Sequence, residues 1–117
     1  MAASRTSARS RGRRAERQAR LHYRLRGYRV LDANAWAGRY ELDLVLRRGR
    51  RLVFCEVKAK GGDRFGDPVE MITPEKLRRL RAAADLWLVR HPECARLELR
   101  YEAVAISPAG LRRIPLT

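Results

Sequence analysis

Residues 40–59 read YELDLVLRRGRRLVFCEVKA, and the architecture follows from them. Tyr40, Leu42, Leu44 and Leu46 alternate with Glu41, Asp43 and Val45, a two-residue period that belongs to a strand. The run RRGR interrupts the alternation with a turn, and Leu52 to Ala59 follows as LVFCEVKA. Two strands joined by so short a turn make an antiparallel hairpin. The second is apolar on both faces except at Glu56 and Lys58, the pattern of a central strand covered on both sides. Charges there are costly to bury, so their presence asks for a chemical reason.

Upstream, Arg11 to Arg26 gathers Ala15, Ala19, Leu21, His22, Tyr23 and Leu25 on one helical arc and Arg13, Arg17, Arg20 and Arg24 opposite, with Gly27 as the stop. Glu16 sits at the border of the apolar arc. Tyr28 to Asn34 reads as a strand and Ala35 to Gly38 as a turn containing Trp36. Downstream, Gly61 to Pro68 is a glycine-rich loop carrying Arg64 and Phe65. Thr73 is a helix cap with Pro74 behind it, and the helix runs to about His91, where Pro92 ends it. Its inward stripe is Leu77, Leu80, Ala84, Trp87 and Leu88. A strand at Leu97 to Ile106, a turn at Ser107 to Gly110 and a short strand at Arg112 to Leu116 complete an α/β chain.

The chain has 117 residues, enough for one core, so the expected organisation is a flexible basic arm at 1–10 and a single domain at 11–117. Hydrophobic residues at 45% argue against disorder. The net charge of +14 points to a polyanion, with nucleic acid foremost, and lysine occurs only at 58, 60 and 76, leaving the task to arginine. No apolar run is long enough to span a membrane and the opening lacks the apolar segment of a secretory signal, so the cytoplasm is the expected location. Cys55 and Cys94 have no CxxC spacing, and with His22 and His91 they do not read as a zinc site.

Along the hairpin, Glu41 and Asp43 fall on one face of their strand and Glu56 and Lys58 on one face of the next. A connecting loop with an even number of residues brings all four together, and an odd loop separates the pairs. Opposed carboxylates lie roughly 4.5–5.5 Å apart at Cβ, a spacing that favours a hard divalent ion such as Mg²⁺, held by Asp43 and Glu56. Lys58 would then meet a phosphate. Arg39, Arg48, Lys60, Arg64, Lys76 and Arg79, close to these acids in sequence, are the candidate nucleic-acid contacts. The plain alternative is an exposed Glu56–Lys58 ion pair on an edge strand.

Asp43, twelve intervening residues, then Glu56-Val57-Lys58, with Glu16 on an upstream helix, resembles the PD-(D/E)xK nuclease superfamily, in particular archaeal-type Holliday-junction resolvases. The segments AER, LRGYRVLDAN, YELDLV, LVFCEVKAK and FGDPVEMITPEKLRRLRAAA more closely resemble the small bacterial YraN-like family. The resemblance implies a restriction-endonuclease-like fold with a central mixed sheet of about four or five strands flanked by helices. It implies Asp43 and Glu56 as metal ligands, Lys58 as the catalytic lysine, and Glu16 as an acid reaching the metal through water; Glu41 matches the acid two residues before the family aspartate. Such proteins usually read Gly-Glu-Ile-Asp where Tyr40 to Asp43 stand, and Val where Cys55 stands. The function implied is a Mg²⁺-dependent endonuclease, with Mn²⁺ able to substitute, cutting structured or branched DNA, with a homodimer suited to symmetric cuts. Two other readings stay open: a noncatalytic nucleic-acid-binding module on the same fold, and an RNA-associated basic protein.

Overall fold

The computed structural model describes residues 2–59 and 73–116, with side chains from residue 12 onward. The loop read at 61–68, together with Lys60 and Arg64, lies outside the described residues. In chain order the elements are α1 (Ala2–Arg24), β1 (Arg29–Ala37), β2 (Tyr40–Arg48), β3 (Arg51–Ala59), α2 (Pro74–Arg90), a 3-10 turn (Pro92–Cys94), β4 (Glu98–Ser107) and β5 (Gly110–Leu116). The strands form one sheet in the order β1-β2-β3-β4-β5. All neighbours are antiparallel except β3 and β4, which run parallel. A parallel pair needs a long crossover, and α2 lies within it. This is an α/β fold, a mixed five-stranded sheet flanked by two helices, consistent with a restriction-endonuclease-like fold.

Each helix covers one face of the sheet. Ala15, Ala19 and Tyr23 of α1 pack on Leu44, Leu46, Val53, Cys55 and Val104. Leu80, Ala83, Ala84 and Trp87 of α2 pack on Leu42, Val45, Leu52 and Phe54. β3 is therefore central and buried on both sides, as its double apolar pattern requires. Small residues at 15, 19, 83 and 84 let both helices approach closely. That narrow α1 seam leaves Leu21 and Leu25 exposed, although the helical wheel put them on the inward arc. Thr73 caps α2: its Oγ1 accepts the Lys76 amide at 3.2 Å, with Pro74 in the first turn.

Two boundaries differ from the sequence reading. α1 begins at Ala2 and not near Arg11, because the residues before Arg11 include no proline and several good helix formers. β1 continues through Trp36, and the turn is Gly38-Arg39. Gly38 has φ 66, and a Cβ there would stand 2.6 Å from Leu86 Cδ1, so this is where the chain can reverse against α2.

β1 and β2 also depart from simple alternation. Ala33 and Leu44 pair and pack on the α1 side, whereas Ala35 and Leu42 pair and pack on the α2 side. Two residues along a regular strand should share a face, so the ribbon turns over between these pairs. Asn34, at φ 52 in the left-handed region that asparagine tolerates, is the residue that allows it. Asp43 lies across from it, at the pivot.

Candidate active site

β2 and β3 pair from Arg48–Arg51 beside the turn as far as Leu44–Cys55. The loop is Gly49-Arg50, two residues, so the even-loop condition holds, and one further step of register sets Asp43 against Glu56. The regular ladder stops there. The Val57 amide instead donates to Asp43 Oδ2 at 2.8 Å, so a side chain fills the fork between the strands.

Into that fork opens a cleft of about 230 Å³, lined by Glu41, Asp43, Glu56, Lys58, Lys76 and Arg79, with Tyr40, Cys55 and Leu80 as its less polar wall. Glu56 and Lys58 reach it from β3 and form an ion pair at 3.1 Å, with side chains 23% and 30% exposed. That exposure, on a central strand, excludes a fully solvated edge pair. Lys76 and Arg79 come from the first turns of α2. Arg79 donates to Glu75 Oε1 at 2.7 Å and its guanidinium lies 5.9 Å from the Tyr40 ring centroid.

A second opening, of about 490 Å³, lies toward α1 and is lined by Arg13, Glu16, Asn34, Asp43 and Val57 among others. Asp43 borders both openings, as its position at the pivot dictates. Glu16 Oε2 accepts Asn34 Nδ2 at 3.1 Å, which fixes this acid toward the sheet. Burial pushes the Asp43 carboxyl up to about 6; the Val57 N–H opposes this, and Glu56, Glu16 and Glu41 add to it by repulsion. The Asp43 carboxyl therefore sits in a field of like charge that a cation would relieve.

Sequence reasoning brought Glu16, Glu41, Asp43, Glu56, Lys58, Lys76 and Arg79 to one region, and the structure joins them around Asp43. It differs in making Asp43 a bridge between two openings, where strict alternation had given it a shared face with Glu41. Arg39 is exposed in the β1–β2 turn, next to Tyr40. Arg48 stands at the far end of β2, where it donates to the Arg26 carbonyl at 3.1 Å and covers the Tyr28 ring.

Oxygen donors of this kind suit a hard divalent ion. Among the described residues no three of His, Cys, Asp and Glu stand together as an ion cage.

Beneath the cleft lies a polar cluster that the sequence did not announce. Glu102, 9% exposed, accepts from the Tyr23 hydroxyl at 2.6 Å and from Arg113 through Nε at 2.9 Å and Nη2 at 3.0 Å. The Tyr23 hydroxyl also lies 3.7 Å from Cys55 Sγ, which ties the cluster to the cleft wall. Cys55 is fully buried, and that burial pushes its thiol up and keeps it in the thiol form. The available signal was a single acid inside the apolar run of β4.

The description "Uncharacterised protein family UPF0102" matches residues 15–106, a span from the first buried alanine of α1 to the inner end of β4. The chain belongs to this family. UPF0102 is the YraN-like group, and the matched span contains Glu16, Glu41, Asp43, Glu56, Lys58 and Glu102. A UPF0102 protein of Chelativorans sp. (strain BNC1) is 42% identical over 113 residues, 97% of this chain and 87% of its own length. Another, from Rhizobium johnstonii, is 40% identical over 113 residues, 97% of this chain and 91% of its own. One from Frankia alni is 42% identical over 105 residues, covering 88% and 87%. None of these names states an activity. No described helix is long and apolar enough to cross a membrane.

Proposed function

We propose that this UPF0102 protein binds nucleic acid and is a Mg²⁺-dependent endonuclease that hydrolyses phosphodiester bonds in structured or branched DNA. The observation that carries the reading is the meeting of Asp43, Glu56 and Lys58 in one cleft, with Asp43 destabilised as an anion by burial and by its acidic neighbours. Asp43 and Glu56 would hold the ion, and Mn²⁺ could take its place. Bound there, the ion would supply charge neutralisation for the phosphate and acidify coordinated water. Lys58 offers an ammonium to a phosphate oxygen once the substrate competes with Glu56 for it. Lys76 and Arg79 add positive charge on the α2 wall, and Glu16 lies on the other side of Asp43, where a hydrogen-bonded water could link them. Backbone contacts of this kind read shape and not base sequence. Two copies acting as a homodimer would suit symmetric cuts.

One observation favours a second reading. The Glu56–Lys58 ion pair satisfies both groups without metal, as it would in a noncatalytic module that keeps the fold and binds DNA or RNA. Incubating the protein with branched, single-stranded and duplex DNA in Mg²⁺ or Mn²⁺, beside Asp43→Ala and Lys58→Ala, separates the two. Cleavage abolished by both substitutions supports the enzyme. Binding without cleavage on every substrate supports the module.

A further inference from the structure

The sheet end remote from the cleft carries a feature that strand pairing alone disfavours. Arg29 of β1 is the direct partner of Arg47 on β2, and Arg48 is the direct partner of Arg51 on β3. Like charges directly opposed across strands destabilise a sheet. Arg51 is answered by Tyr28 and by Glu98 nearby. For Arg29, Arg47 and Arg48, none of the ion pairs among the described residues supplies a carboxylate.

These three arginines, with Gly27 and Gly49, line a groove of about 340 Å³. Two of the guanidiniums are already held in place. Arg47 Nε donates to the Gly49 carbonyl at 2.9 Å, and Arg48 Nη1 donates to the Arg26 carbonyl at 3.1 Å while stacking 4.9 Å from the Tyr28 ring centroid. Each contact uses one of five N–H donors and leaves an oriented fork for an anion.

We propose that this groove is a second docking site, for the phosphate backbone of a nucleic acid, separate from the cleft. Arg47 and Arg48 lie four and five residues along β2 from Asp43, about 13–17 Å at the strand rise. That is about four or five base pairs of one duplex strand. A nucleic acid lying along β2 would meet the cleft and the groove at once, and the groove would anchor it without contacting the reacting bond. The net charge of +14 makes such a partner electrostatically favoured over any cationic or neutral one. The inference rests on the nucleic-acid half of the proposed function and not on cleavage.

The test is fluorescence anisotropy of labelled branched DNA on the full chain in EDTA, across a salt series, for wild type and the Arg29→Gln/Arg47→Gln/Arg48→Gln variant. At about 0.9 per phosphate contact, the slope of log affinity against log salt should fall by about two to three, with affinity down tenfold or more at 0.1 M salt. Relief of the Arg29–Arg47 repulsion offsets the lost contacts to Gly49, Arg26 and Tyr28, and a cooperative thermal transition above the assay temperature shows that the loss of binding is not unfolding. An Arg78→Gln/Arg81→Gln variant, altered on α2, should change the slope less per charge removed. A wild-type slope in the triple variant, or an equal per-charge loss in the α2 variant, overturns the proposal. So does a triple variant that binds the DNA as wild type does but, in a parallel co-sedimentation assay, loses binding to vesicles of anionic phospholipid. Repeating the series on Asp43→Asn separates the two ideas. With cleavage read separately on wild type in Mg²⁺, cleavage there beside an unchanged slope in the triple variant sinks the groove alone, and a reduced slope without wild-type cleavage sinks the nuclease alone.

Discussion

Asp43 Oδ2 receives the Val57 amide at 2.8 Å at the point where β2 and β3 stop pairing, so a carboxylate completes the sheet there. The same group is half-buried and surrounded by acids, which sets up a conflict between its structural role and its charge.

That conflict has a pH signature. Burial, with help from Glu56, Glu16 and Glu41, raises the folded carboxyl from 3.8 to about 6, so folding favours the protonated form. Its stabilising contribution is complete below pH about 4 and disappears as pH rises through about 6. At 1.36 kcal/mol per unit the change is on the order of 2–3 kcal/mol. Asp43→Asn keeps an acceptor for Val57 and cannot ionise, so it should match wild type at pH 4 and exceed it at pH 8 in urea denaturation. A variant less stable than wild type at pH 8 contradicts this account.

Divalent metal should reverse the penalty. In the wild type, Mg²⁺ or Mn²⁺ at ten times its dissociation constant should stabilise the fold by about 1.4 kcal/mol, read as a rise in thermal midpoint. Asp43→Asn and Glu56→Gln should each abolish that rise. Lys58→Met should keep it while losing cleavage, because the amine is assigned to phosphate and not to the ion.

The Glu102 cluster makes a prediction about stability alone. Glu102→Ala strands the half-buried Arg113 guanidinium and the buried Tyr23 hydroxyl, a loss of about 3 kcal/mol, the low end for a broken buried pair because water can reach Arg113. Tyr23→Phe removes one charge-assisted hydrogen bond and should cost about 2 kcal/mol. Glu102→Gln, with the same shape, should fall between them. Additive losses in a Tyr23→Phe/Glu102→Gln double variant would mean that the 2.6 Å contact is not energetically coupled.

At the hairpin tip, Gly38→Ala should cost about 1–2 kcal/mol from the left-handed backbone, with an added penalty from displacing Leu86. Urea midpoints measure it. No loss would mean that the β1–β2 turn relaxes away from α2.

Much of this was legible in the sequence because it rests on periodicity and caps. The hairpin turn after β2, the doubly apolar β3, Thr73-Pro74 and the Pro92 stop each encode a local geometry, and each is found where it was read, whereas the even alternation read along β2 breaks between Leu42 and Leu44. The grouping of Asp43, Glu56 and Lys58 needed only the parity of one turn. What escaped depended on contacts distant along the chain. Nothing near Asn34 in sequence announces a turned-over ribbon, since an asparagine in a strand reads only as a weak strand former. Glu102 acquires meaning from Tyr23 and Arg113, 79 and 11 residues away. Arg48 was grouped with the acids by sequence proximity, yet five residues of extended strand carry it to the other end of the sheet. The helical wheel overestimated the buried arc of α1 because two alanines bring the helix so close to the sheet that only a thin seam fits.

The parallel join between β3 and β4 divides the sheet into pairings that are local along the chain and one that is not. β1, β2 and β3 form a meander of neighbours that can zip up locally, whereas Arg51 must find Glu98 across the whole crossover segment before β4 can add. Among the described residues, the acids around the fork (Glu16, Glu41, Asp43 and Glu56) belong to the meander and its helix, while Lys76 and Arg79 belong to the crossover. Before the crossover closes, the acids of the fork are answered, among the described residues, only by Lys58 on β3 and Arg13 on α1, and the α2 wall of Lys76 and Arg79 completes the cleft once it does.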